Sequence, residues 1–170
     1  MIAAYFKALV IIFSVTFVLT GQEGDVRFPA TVTTVEGEQI DVARLAAKKK
    51  VVVVTVKAAS CPVCRIQLQR LKYHINQFRR CNVTFLVLIP GPKNDILTFR
   101  EDTEFPYPFV EDRNFTIATS LSLRMSENEI FPTILVLNKD LTVRWQKRGR
   151  NVLYYGDPEL LEELKCTNWI

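Results

Sequence analysis

The chain has 170 residues, a formal net charge of +4, 24% charged and 48% hydrophobic residues, and four cysteines. This excludes the polar bias of a disordered chain and the cysteine density of a small disulfide scaffold, and leaves length for one domain with a substantial core. The densest basic clusters, Lys48-Lys49-Lys50 and Lys147-Arg148-Gly149-Arg150, read as solvated strand and turn ends. They lack the long basic stripe interleaved with aromatics that a nucleic-acid surface needs, so no nucleic-acid partner is expected.

Residues 1–21 stand apart. One lysine, Lys7, precedes the unbroken apolar run Ala8–Leu19, and Thr20-Gly21-Gln22-Glu23-Gly24 then turns polar. That pattern describes a secretory signal peptide. Counted back to Ile2, the segment just reaches the roughly 17 residues that a membrane span needs, so an uncleaved anchor is the alternative, and with it the only membrane association expected. Residues 22–170 are then one domain. The sequons Asn82-Val83-Thr84 and Asn114-Phe115-Thr116 mark Asn82 and Asn114 as glycan acceptors. Together with the leader they point to a secreted or lumenal location, where disulfides persist.

Thr31–Ala47 reads as two short strands around a turn at Glu36-Gly37, followed by a helical turn. Lys48–Val56 is β-branched without alternation, which suits a central strand buried on both faces. From Pro62 the positions Val63, Ile66, Leu68, Leu71, Ile75 and Phe78 approximate helical spacing, which predicts one amphipathic helix to about Arg80. Cys81–Pro90 is a second buried strand, stopped by Pro90-Gly91-Pro92. A helix capped by Asn94 or Asp95 follows, then a stretch kept extended by Pro106 and Pro108, then a short helix near Phe115–Leu123. Phe131–Gly149 has the pattern of a β-hairpin turning at Asn138-Lys139-Asp140, and Asp157-Pro158 opens a last helix. The order β-α-β-α-(α)-β-β-α describes an α/β sandwich on a mixed sheet.

The motif that carries chemistry is Cys61-Pro62-Val63-Cys64, directly after the valine strand. Structural zinc would need two further paired ligands, whereas Cys81, Cys166 and His74 are scattered singly. A disulfide across so small a loop adds little stability, because the gain grows with loop length. A redox role fits the context better. A cysteine where a strand turns into a helix meets unpaired amides and the positive end of the helix dipole, which favour a thiolate. Cys61 would be the exposed nucleophile and Cys64, one turn in, the resolving thiol. Pro62 suits the first helical turn. His74 lies ~15 Å further along the helix axis, too far to act as a base for Cys61.

With these residues the chain resembles the thioredoxin-like superfamily. More narrowly it resembles the redoxin branch, which includes AhpC/TSA-type domains and the membrane-tethered thiol-disulfide oxidoreductases of cytochrome maturation. The resemblance runs from about Phe28 to Cys166 and rests on the strand-and-helix entry, Ala59-Ser60-Cys61-Pro62-Val63-Cys64, and Ile130-Phe131-Pro132-Thr133. It implies a thioredoxin-like three-layer α/β/α sandwich with a central mixed sheet. It also implies a cis Pro132 beside the dithiol, with Phe131 and Thr133 offering backbone groups to a substrate chain as an added strand. Cys81 and Cys166 end helices that would meet at the far pole, where a bridge between them is the expectation and two free buried thiols the alternative. The implied partners are protein or small-molecule thiols and disulfides with an external redox donor or acceptor, and no cofactor.

The chain departs from the family in three places. Ser60 replaces the usual tryptophan before the first cysteine. Thr55 stands where many thioredoxins bury a carboxylate. Ala58 stands where peroxiredoxins place a Thr or Ser that orients peroxide. Lys57 and Arg65 are candidates to lower the cysteine pKa by charge. Thiol-disulfide oxidoreductase is therefore the reading, with a peroxiredoxin-like antioxidant peroxidase as the rival and a non-catalytic thioredoxin-fold binding module as a third possibility.

Overall fold

A computed structural model describes residues 26–149 and 157–166; the leader (residues 1–21), Arg150 and Trp169 lie outside them. Two short antiparallel strands, β1 (Thr31–Thr33) and β2 (Gln39–Asp41), lead into helix α1 (Val42–Lys48), where the Asp41 side chain caps the helix by accepting the Arg44 amide. Strand β3 (Lys50–Thr55) follows, then helices α2 (Pro62–Tyr73) and α3 (Ile75–Arg80), then strand β4 (Val83–Ile89). Helix α4 (Lys93–Thr103), strand β5 (Phe109–Glu111), helix α5 (Thr116–Ser120), hairpin β6 (Thr133–Leu137) and β7 (Val143–Arg148), and helix α6 (Asp157–Glu163) complete the order.

The main sheet has the order β5-β4-β3-β6-β7. Strands β3, β4 and β5 run parallel, whereas β6 is antiparallel to both β3 and β7. The expected mixed sheet is therefore present, with β3 at its centre. Val52 and Val54 of β3 and Phe85, Val87 and Ile89 of β4 pack on one face with Leu68, Leu71 and Phe78, with Phe99 and with Leu160 and Leu164. Val51, Val53, Leu86 and Leu88 pack on the other with Val42, Ala46 and Ala118. A strand's side chains alternate between faces, so an all-apolar run is what two helical layers require. Val51 to Val54 are all 0% exposed; each valine buried contributes about 1.5–3 kcal/mol.

Three sequence expectations are corrected here, and a fourth is made more specific. The predicted helix to Arg80 is broken at His74, whose amide bonds Leu71 O in a tight i−3 turn; the apolar spacing continues across the break and so hides it. Ile66, expected inside, is 45% exposed, and its neighbour Gln67 is buried. Gln67 and Arg70 donate to the buried Asp157 carboxylate, which fastens α6 to α2 and gives Gln67 a buried partner, while Leu68 and Leu71 stay in the core as their spacing predicts. Neither Asn94 nor Asp95 caps α4; Pro92 occupies that place, and Asp95 sits in the first turn, where its charge favours the dipole. The Phe109–Glu111 stretch, expected only to be extended, is a third parallel strand beside β4.

Three carboxylates are held below their usual range. A hydrogen bond and charge from Lys72 lower Glu104, the Thr142 hydroxyl and amide lower Asp140, and its own backbone amide followed by Lys147 lowers Glu159. A depressed carboxylate stabilises the fold above its unfolded pKa of about 4 and loses that contribution as pH falls through the folded value. The melting temperature should thus be flat from pH 7 to about 5 and decline below about 4. Lys72→Met should shallow that decline, which calorimetry across the range would detect.

Candidate functional site

Strand β3 ends at Thr55, and the chain passes through Ala58–Ser60 to the N-terminus of α2 at the carboxyl edge of the parallel strands, where open α/β sheets expose loops to ligands. Cys61 is the N-cap of α2 in extended backbone, with Pro62 in the first turn. Cys61 and Cys64 are joined in a disulfide, their Cα atoms 5.4 Å apart. The two sulfurs are not equivalent. Cys61 is half-buried, whereas Cys64 is 1% exposed and packs in the core with Leu68 and Val56. Cys61 Sγ accepts the Cys64 amide at 3.2 Å, and Cys64 Sγ accepts the Lys57 amide at 3.4 Å. Each sulfur therefore already faces a backbone donor that would favour a thiolate there.

The candidate tuning cations are otherwise engaged. Lys57 Nζ pairs with Glu129 at 3.0 Å, and Arg65 pairs with Asp102 at 2.9 Å while its guanidinium lies 5.6 Å from the Phe99 ring centre. Residue 57 reaches the dithiol through its amide rather than its ammonium. Glu129 and Asp102 lie far along the chain from their partners, so the sequence offered no signal for either pairing.

Pro132 sits beside the start of β6, level with the end of β3, since Thr55 and Thr133 are register partners. The expected cis bond is absent: the peptide bonds of the described residues are all trans. Trans is the lower-energy isomer even before proline, and Thr55 holds this segment as it stands. Its buried hydroxyl donates to Phe131 O at 2.6 Å and accepts the Thr133 amide at 2.7 Å. This is the role the sequence left blank at Thr55. The Phe131 amide bonds Leu123 O and the Pro132 carbonyl accepts the Gly149 amide. The backbone groups expected to receive a substrate strand are thus already used within the chain. Thr55→Val should remove the hydroxyl's bonds to Phe131 O and the Thr133 amide and cost about 1–3 kcal/mol. Thr55→Ser should retain stability, as urea denaturation of the two variants would show.

On the other side of the dithiol a cleft of about 560 Å³ is lined by Ala58, Ala59, Ser60, Pro90, Pro92, Arg113 and Phe115, among others. Its walls are largely apolar, with Lys93, Arg113 and Asp95 at the rim. At the opposite end of the sheet Cys81 and Cys166 are bridged, and Gln77 donates to the Cys166 carbonyl at 2.7 Å. Asn82 and Asn114 are both exposed. Asn82 has left-handed backbone (φ 59°), a conformation Asn tolerates well, and its side-chain amide bonds Lys48 O at 2.8 Å. Among the described residues there is no cluster of His, Cys, Asp and Glu able to hold a metal.

A dithiol that caps the helix after the central strand of such a sheet defines a thioredoxin-like redox protein. More narrowly, the chain belongs to the AhpC/TSA family, whose profile matches residues 24–146. No curated protein matches the sequence. Among solved structures it is similar to the peroxidoxin BcpB of Mycobacterium tuberculosis, with TM-score 0.69, 17% identity, and 82% of this chain and 94% of that one covered. It is also similar to a secreted M. tuberculosis disulfide oxidoreductase homologous to E. coli DsbE (TM-score 0.64, 17% identity, 84% and 98% covered). A third is the reduced 2-Cys peroxiredoxin of Plasmodium vivax (TM-score 0.69, 13% identity, 82% and 92% covered). At these identities the likeness is one of fold.

Proposed function

We propose that this chain is a thiol-disulfide oxidoreductase that works through Cys61 and Cys64 in a secretory or extracytoplasmic compartment. The observation that carries the reading is the asymmetry of the pair: a half-buried sulfur at a helix N-cap joined to a buried one a turn further in. In the reducing direction the Cys61 thiolate attacks a substrate disulfide, a mixed disulfide forms and one substrate thiolate leaves. Cys64, its thiolate facing the Lys57 amide, then attacks the Cys61 sulfur. The second substrate thiol departs, and the dithiol becomes the disulfide as the substrate gains two electrons. An external thiol reductant must restore the dithiol; read backwards, an external oxidant drives the same steps. The apolar cleft beside Ser60 gives room for residues flanking the substrate cysteine.

Peroxidase chemistry is the rival because most of the similar solved structures are named as peroxidoxin or peroxiredoxin. Ala58 supplies no hydroxyl to orient a peroxide, which argues for exchange. Parallel assays of disulfide reduction and hydrogen peroxide consumption separate the two. Exchange that needs both cysteines, with peroxide turnover no faster than free thiol, supports the proposal. Peroxide turnover that needs Cys61 and survives Cys64→Ser refutes it.

The lumenal or extracellular setting is part of the proposal and rests on residues 1–21 and the sequons of Asn82 and Asn114. Retention of the leader as a membrane anchor is its alternative. An enzymatic deglycosylation shift on protein made in a secreting cell tests it.

A further inference from the structure

The sequon residue Asn114 stands at the rim of the cleft beside the dithiol. The Phe115 amide bonds Asp112 O at 3.0 Å and closes a β-turn, which places Asn114 at its tip. The turn is anchored on both sides. The Asp112 amide bonds Ile89 O at the end of β4, and the buried Asp112 carboxylate accepts the Ile117 and Ala118 amides at 3.1 and 2.8 Å. The neighbours of Asn114, Arg113 and Phe115, line the cleft together with Ala58, Ala59 and Ser60, which lead directly to Cys61. Asn114 itself is exposed, and its side chain makes no hydrogen bond among the described residues.

A glycan on this side chain would start in solvent, one residue from two walls of the cleft. Such a group is bulky and hydrated, so it competes for space with any large body that approaches the cleft from that side. Charge gives the cleft no comparable means of selection. Arg113 is paired with Glu111, and Lys93 and Asp95 bring opposite charges to the rim. The other sequon differs in place and in bonding. Asn82 follows Cys81 at the opposite end of the sheet, and its side-chain amide already donates to Lys48 O.

We propose that a glycan on Asn114 is a size filter for the dithiol, which holds off folded proteins while small disulfides reach Cys61 past the apolar cleft. The filter rests on the assignment of Cys61 and Cys64 to disulfide exchange in a secretory compartment, and it names the substrate class of that site. It acts on approach alone and leaves the exchange steps unchanged.

The test uses the full chain secreted from a eukaryotic cell, with occupancy of Asn114 read by mass spectrometry of its glycopeptide. Reduction of insulin, a folded protein disulfide, is compared with reduction of oxidised glutathione, dithiothreitol serving as the external reductant. Asn114→Gln should raise the insulin rate by about tenfold and leave the glutathione rate unchanged, because only the encounter with a large partner is relieved. Thr116→Ala, which also destroys the sequon, should do the same, whereas Thr116→Ser keeps the sequon and should match the unsubstituted protein. Asn82→Gln removes the remote acceptor and should change neither rate. Glycosidase treatment of the native protein makes the comparison without any substitution and stands even if a variant fails to fold. An unoccupied Asn114, an insulin rate unmoved by loss of its glycan, or an equal rise with both substrates overturns the proposal. Glutathione reduction that continues in those cases leaves the oxidoreductase assignment intact. Absence of exchange with both substrates in every form refutes that assignment, and the filter with it.

Discussion

Cys64→Ala should convert the protein from an exchanger into a trap. Cys61 keeps its place at the N-cap of α2, and the amide that faces its sulfur belongs to the backbone of residue 64 and survives the substitution. The first step of exchange therefore proceeds, while the resolving thiol is gone. A mixed disulfide with a protein or small-molecule substrate should accumulate and be released by dithiothreitol, with turnover down by several orders of magnitude. Cys61→Ser should abolish both turnover and trapping, because the buried Cys64 is left without access to the substrate. Non-reducing electrophoresis of the two variants after incubation with an oxidised substrate distinguishes them. Equal trapping by Cys61→Ser would reverse the assigned roles.

The second large effect is on stability. The Cys81–Cys166 bridge closes a separation of 85 residues, for which chain entropy alone corresponds to about 4–5 kcal/mol. Helix α6 brings Leu160 and Leu164 into the core against the face that also holds Leu71 and Phe78. Its near end is fastened by Asp157 to Gln67 and Arg70, and its far end by the bridge together with Gln77. Cys81→Ala/Cys166→Ala should lower the melting temperature by roughly 10–15 °C. Disulfide exchange should persist at low temperature, since the dithiol lies at the other end of the sheet. An unchanged melting temperature would mean that Asp157 and the buried leucines hold α6 without help from the bridge.

What the sequence made legible was whatever depends on local pattern. Val51–Thr55 declares a doubly covered strand because no polar face interrupts it, and the Cys61–Cys64 spacing after that strand places the sulfurs at a helix start. Contacts made by residues distant in sequence were not legible. Gln67 is buried and Ile66 exposed because Asp157, 90 residues from Gln67, supplies a carboxylate under α2. Thr55 looked like a lost acid until Phe131 O and the Thr133 amide were seen on its hydroxyl. Lys57 and Arg65 looked like free charges for the thiolate, yet Glu129 and Asp102 meet them. The trans Pro132 shows the limit of reasoning from family resemblance: the Phe-Pro-Thr match led to an expected cis bond, and the peptide bonds of the described residues are all trans.

The central claim is that the start of α2 stabilises Cys61 as a thiolate nucleophile. The measurement that tests it most directly is the rate of Cys61 alkylation against pH in Cys64→Ala, with Cys81 and Cys166 left bridged. An apparent pKa well below the unperturbed value of about 8.5 is the predicted result. A value at or above that reference would mean an inert thiol and would contradict the assignment of this dithiol to catalysis.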